Sequence, residues 1–213
     1  MPHTCRRIFL SGSAALAAGV LLPLPAAAQA AGRIDTLRGD VRVNGRRIDG
    51  KASIRAGDQV VTGAGGFVLF TLGQDAFMLR AKSELHLDPS AEPFLVTGLR
   101  LLTGALGAVF GRRAGAGAKL VTPTVTAGIR GTGCYTEARG DSTYFCTCYG
   151  TIDMASNVNP RERIIATTRH HDAPSLFFRK PRNGSLIAPA AMETHADAEM
   201  RALEAAVGRR APW

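Results

Sequence analysis

Three cysteines of this chain, Cys134, Cys146 and Cys148, lie close together in the sequence, and histidines follow them downstream. Thiolate and imidazole donors suit Zn, Cu or a haem iron better than oxygen donors do. The Cys-x-Cys spacing differs from the Cys-x-x-Cys of common zinc knuckles. The sequence predicts a metal or redox site whose candidate residues are Cys134, Cys146, Cys148, His170 and His171. His195 lies further along the chain and is not one of these candidates.

A β-hairpin must position these thiols. Arg139-Gly140-Asp141 is the evident turn, and with these three residues as the loop, Cys134 faces Cys146 across the hairpin. Cys148 then lies on the same face, ~7 Å away at strand spacing. A register slip of one residue would turn Cys134 to the opposite face. The alternatives to a chemical site are a Cys134–Cys146 disulfide with Cys148 buried, or three buried thiols beside solvated histidines.

The region around the hairpin, residues 31–155, has the pattern of many short strands. Short apolar runs with internal alternation are broken by Gly, Asp, Asn and Pro at regular intervals. Residues 99–110 could also form a helix, but their glycines favour a strand with a bulge, and a loop is expected over 112–119. We therefore predict an all-β domain, a twisted β-roll or short β-solenoid.

Residues 156–213 form a predicted C-terminal extension of different character. Asn183-Gly184 predicts a hairpin turn at the centre of residues 176–187. A short helix closes the chain, with Thr194 as its cap and Gly208 as its end. Met200, Leu203 and Val207 lie at the spacing of one helical face.

Residues 1–30 have the features of an export leader. Arg6-Arg7-Ile8-Phe9-Leu10 resembles the twin-arginine signal, and Ala28-Gln29-Ala30 is a small-residue cleavage site. An ordinary secretory signal is the alternative. We expect a periplasmic mature chain with no transmembrane anchor, since no later segment is long and apolar enough to cross a bilayer.

The charge of the chain is strongly positive. Lys and Arg number 26 against 17 Asp and Glu, a net charge of +9 that falls to +7 without Arg6 and Arg7. An exported protein meets no chromosome, so we expect no nucleic-acid partner. The basic residues are spread along the chain, which favours solubility and weak attraction to anionic surfaces or acidic partners.

Three short motifs occur in order along the β region. They are Gly39-Asp40-Val41, then Ala56-Gly57-Asp58-Gln59-Val60-Val61-Thr62-Gly63, then Thr122-Pro123 with Gly128-Ile129-Arg130-Gly131-Thr132. In these motifs the chain resembles the FecR-like periplasmic domain family. The resemblance implies the periplasmic part of a regulator that controls a sigma factor and responds to an outer-membrane transporter in iron uptake. We expect this chain to depart from that plan, without the cytoplasmic segment and the spanning helix, so that only the periplasmic sensing or interaction module carries over.

Arg130 is the motif residue with the clearest chemical potential. It could form a buried bidentate ion pair that locks the sheet, or it could reach a carboxylate ligand. No nucleophile elbow, phosphate loop or paired-carboxylate motif occurs, so we expect no enzyme. The sequence favours an exported, non-catalytic binding or signal-relay module with an envelope protein as partner. The alternative is a periplasmic metal-binding or thiol-redox protein that uses the cysteines and histidines.

Overall fold

The computed structural model describes residues 1, 32–91, 95–112 and 117–213, so residues 2–30 of the predicted leader lie outside the described part of the chain. The described residues form fifteen strands and one helix. They are β1 Arg33–Arg38, β2 Val41–Val43, β3 Arg46–Arg47, β4 Gln59–Thr62, β5 Phe67–Leu72, β6 Asp75–Leu79, β7 Glu84–Leu87, β8 Gly98–Val109, β9 Ala118–Val121, β10 Val125–Ile129, β11 Gly133–Ala138, β12 Ser142–Ser156, β13 Arg163–Thr168, β14 Ser175–Arg182, β15 Ser185–Pro189 and α1 Asp197–Ala206. Within these ranges, no helix has the length and hydrophobicity needed to span a membrane.

Five of the strands close into a small barrel. Strand β8 pairs with β11, β11 with β12, β12 with β10, β10 with β9, and β9 returns to β8. The β8–β9 pair is parallel and the other four are antiparallel. The remaining strands extend the sheet from this ring. The all-β class with one short helix is confirmed, whereas a β-roll or β-solenoid is not, because the ring is closed.

The two longest strands bend at glycines. Strand β8 pairs with β7 and β9 before Gly104 and with β6 and β11 from Gly104 onward. Strand β12 changes partners in the same way at Gly150. Both glycines have positive φ, +79° and +85°, which side-chain-bearing residues rarely adopt. The glycines therefore let one strand serve both halves of the sheet.

Two apolar clusters lie on opposite faces of this sheet. The larger one fills the interior and includes Phe77, Cys134 and Phe145. The smaller one lies under α1, where Met200 and Leu203 pack on the outward residues of the strands. Since side chains alternate along a strand, neighbouring residues of β12 belong to different clusters.

The C-terminal elements agree in part with expectation. The predicted hairpin is present as β14 and β15, which turn at Asn183 and Gly184. The prediction that Thr194 caps the helix is wrong, because Thr194 has φ +67° and Ala196 is the N-cap. The Glu199 carboxylate accepts a hydrogen bond from the Ala196 N–H. The helix ends before Gly208, as predicted.

Two sequence boundaries fall differently in the structure. The predicted loop 112–119 ends earlier, since β9 begins at Ala118, and residues 113–116 lie outside the described part of the chain. The predicted domain boundary at residue 155 falls inside β12. The division into two domains stays a prediction.

Candidate metal centre

The β11–β12 hairpin has a shorter turn than the sequence suggested. The Arg139 N–H donates a hydrogen bond of 2.8 Å to the Ser142 carbonyl, so the loop contains two residues, Gly140 and Asp141. Cys134 consequently pairs with Thr147, and Cys146 pairs with Tyr135. The prediction that Cys134 faces Cys146 is wrong, because the register differs by one residue. Cys134 points into the interior cluster, while Cys146 and Cys148 belong to the cluster under α1.

A β-bulge sits at Cys148. Gly133 pairs with Tyr149 and Cys134 with Thr147, which leaves Cys148 without an opposite residue on β11. A side chain at Gly133 would bring its Cβ within 2.3 Å of the Tyr149 ring, so glycine permits this close approach. Bulges re-aim side chains, and this one leaves both thiols, Cys146 and Cys148, beneath the helix.

Two histidines reach the thiols from different elements. His171 follows β13, has φ +54°, and its backbone N–H donates to the Cys148 carbonyl at 2.9 Å. His195 lies just before α1, and its ring stacks on Tyr135 with centroids 4.4 Å apart. The strand end and the helix start therefore bring one imidazole each to the same buried point.

Four side chains converge there. The Cys146 Sγ lies 3.5 Å from His171 Nδ1, the Cys148 Sγ lies 3.6 Å from His195 Nε2, and the two ring nitrogens are 3.0 Å apart. All four donor atoms lie within 4.8 Å of one another. None of the four residues is more than 8% exposed. Zn–S bonds of about 2.3 Å and Zn–N bonds of about 2.0 Å in a tetrahedron place sulfur and nitrogen about 3.5 Å apart, which matches the two observed sulfur–nitrogen separations.

Neighbouring groups turn the correct ring atoms toward this point. The His195 Nδ1–H donates to the Glu193 carbonyl at 2.9 Å, which leaves the Nε2 lone pair for a metal. The Nε2 of His171 lies 3.3 Å from Asp197 Oδ1, at ion-pair distance but without hydrogen-bond geometry. A carboxylate on that side places the proton on Nε2 and leaves Nδ1 free. Carbonyl and carboxylate partners of this kind orient metal-binding histidines.

The electrostatics favour one thiolate in this group. The Cys148 thiol, followed by the rings of His195 and His171, lowers the pKa of the Cys146 thiol against the opposing effect of burial. Burial raises the pKa of the Cys148 thiol. A divalent cation would stabilise both sulfurs as thiolates, because metal binding displaces their protons.

The other predicted site residues are not among these four. Cys134 is buried in the interior cluster, and all three described cysteines are free of disulfides. His170 is exposed, and its Nε2 lies 2.8 Å from Asp197 Oδ1. Arg130 is exposed, and its predicted role as an ion-pair or ligand-binding residue stays a prediction. His195 was not among the candidate residues, since no spacing rule links it to the cysteines.

Comparisons with known proteins add little to this geometry. No family model matches the chain, and no curated protein matches it. Two crystal structures of a protein from Parabacteroides distasonis, provisionally described as an anti-sigma factor, match with a TM-score of 0.49 and 12% identity. The match covers 62% of this chain and 58% of that protein, less than two thirds of its length. At this level, the likeness carries no inference about function.

Proposed function

We propose that this chain is an exported, non-catalytic binding module in which Cys146, Cys148, His171 and His195 hold one Zn²⁺ ion. The observation that carries the proposal is the buried convergence of two sulfurs and two ring nitrogens within 4.8 Å. Two thiolates and two imidazoles are a common tetrahedral set for Zn²⁺ in structural sites. A haem does not fit, because four donors this close surround a single ion.

The centre is structural in character. Four protein ligands complete a tetrahedral shell, so no position remains for water or substrate. Thiol-disulfide exchange is disfavoured, since Cys146 and Cys148 are both 0% exposed and a partner thiol cannot reach them. The ion instead joins β12 and the end of β13 to the start of α1, and so fastens the C-terminal segment to the barrel.

Metal content of the full mature chain tests this proposal. We expect one zinc per chain, and tetrahedral Co²⁺ absorption with thiolate charge-transfer bands after cobalt exchange. Cys146→Ser and Cys148→Ser should each lose the metal, because serine is a poor ligand for Zn²⁺.

Cys134→Ser is the matched control for these variants. It changes an equally buried cysteine that points to the interior cluster, and it should keep one zinc per chain. A native chain that takes up no zinc, or equal metal loss in all three variants, would rule out the centre.

The exported location is a separate part of the proposal and rests on the twin-arginine pattern at residues 1–30. An envelope protein is the proposed partner, on the basis of the FecR-like motifs. Cell fractionation and sequencing of the mature N-terminus test the export, with Arg6→Lys/Arg7→Lys expected to block it. If the native chain stays in the cytoplasm as the Arg6→Lys/Arg7→Lys variant does, the proposed export is contradicted. Crosslinking in intact cells tests the partner.

A further inference from the structure

A cavity of about 760 Å³ lies between the barrel and the end of the chain, beside the metal centre. Phe110, just after β8, and the strand residues Tyr149 and Thr168 form one wall, and residues 204–212 contribute to the other. This volume lies within the range of about 300–1,000 Å³ typical of small-molecule sites. None of the four proposed zinc ligands lines the cavity.

The charge of the cavity is positive and poorly compensated. Arg112, Arg169, Arg209 and Arg210 line it, and among the described residues Glu204 is the sole acidic one in the lining. Glu204 is already engaged, since its carboxylate accepts hydrogen bonds from the Tyr149 hydroxyl and from Arg209 Nε. Four guanidinium groups around one space repel one another, and a bound anion relieves that repulsion.

Within the described part of the chain, several guanidinium donors have no partner. Arg209 uses its Nε for Glu204 and its Nη1 for the Gln74 carbonyl, whereas its Nη2 is buried without a hydrogen-bond partner. The side chains of Arg112 and Arg169 make no ion pair with any described residue. Guanidinium groups bind oxyanions through paired N–H donors, so these arginines are suited to carboxylate or phosphate.

The cavity also offers an apolar surface. Tyr149 is partly exposed at the cavity wall, and its ring packs on Trp213 with centroids 5.5 Å apart, whereas Phe110 behind it is almost fully buried. An inorganic ion would fill little of the space and leave this surface unused. A larger ligand would use both the arginines and the aromatic wall.

We propose that this cavity binds a small organic anion, with its oxyanion group on Arg112, Arg169 and Arg209 and its apolar body against Tyr149. The guanidinium groups fix the position of the charged end, and the aromatic residues contribute apolar contact area. The proposal does not depend on a bound metal, because the two sites share no residue.

Isothermal titration of the full mature chain with phenyl phosphate and with benzoate tests the proposal. We expect saturable one-to-one binding of one or both anions and no binding of phenol, which lacks the charge. Tighter binding of phenyl phosphate would indicate a phosphate ligand, and tighter binding of benzoate a carboxylate ligand. No saturable binding of either anion would overturn the proposal.

Variants locate the site. Arg112→Gln and Arg169→Gln should each weaken binding about 10-fold or more, since each removes charge-assisted hydrogen bonds. Arg46→Gln is the matched control, because Arg46 is an exposed arginine in β3 and does not line the cavity. An equal loss of anion affinity in all three variants would overturn the proposal, because the loss would then follow from the change in net charge alone. Zinc content is measured on the same samples, so that a failure of anion binding can be told apart from a failure of the metal centre.

Discussion

At the scale of residues, the chemistry depends on which face of a strand each sulfur occupies. Cys134 and Cys146 are equally buried, yet they lie on opposite faces of the hairpin, and only Cys146 meets the histidines. The cluster of thiols could be predicted from the sequence. Which cysteines share a face could not be predicted, because the face of Cys134 depends on whether the hairpin loop has two or three residues. His195 could not be predicted, since the packing of α1 brings it to the cysteines.

Asp197 is a positioning residue for His171. Its carboxylate faces the ring edge opposite the proposed metal, so Asp197→Asn removes a charge that favours the protonated Nε2. We expect about 10-fold weaker zinc binding in a competition titration with a chromophoric chelator. The melting temperature of the metal-free form should change little.

Asp153→Asn provides the control for Asp197→Asn. Asp153 is also a carboxylate paired with a basic side chain, Arg163, but it lies on an exposed part of β12. Zinc affinity should be unchanged in this variant. Equal affinities in Asp197→Asn and the native chain would contradict the role of Asp197.

At the scale of elements, the barrel needs strands that change direction. Glycine punctuation allowed many short strands to be predicted, and β4 and β5, for example, are separated by Gly63, Gly65 and Gly66. Closure could not be predicted, because it depends on the parallel pairing of β8 with β9, which no local pattern encodes. The bends at Gly104 and Gly150 belong to this long-range geometry.

Gly150→Ala tests the bend of β12. The residue has φ +85°, and its new Cβ would lie 2.4 Å from Thr132 Cγ2. We expect a loss of at least about 2 kcal/mol in the free energy of unfolding, measured by urea denaturation. Gly50→Ala should have little effect, since Gly50 has open space around it and no positive φ. Equal stability of the two variants would contradict the bend as described.

At the scale of the whole molecule, the C-terminal segment is fastened at two ends. Near its start, His195 joins the proposed zinc centre, and Arg80 holds both oxygens of Glu199 at 2.6 and 2.8 Å. Near its end, the Glu204 carboxylate accepts a hydrogen bond from the Tyr149 hydroxyl, and Arg209 donates one to the Gln74 carbonyl. The segment therefore completes both the metal centre and the anion cavity without forming a core of its own.

Metal removal should loosen one end of this segment before the other. After chelation, hydrogen exchange monitored by mass spectrometry should accelerate about 10-fold or more around residues 190–200. Peptides covering residues 204–213 should change less, because Glu204 and Arg209 keep their partners. If the exchange rate around residues 190–200 is the same before and after chelation, the ion does not hold this segment in place.

X-ray absorption at the zinc edge of the native, zinc-loaded chain tests the central claim most directly. The proposed centre predicts two sulfur neighbours at about 2.3 Å and two nitrogen neighbours at about 2.0 Å. A shell made only of oxygen and nitrogen, or one with three sulfurs, would contradict the assignment of Cys146, Cys148, His171 and His195.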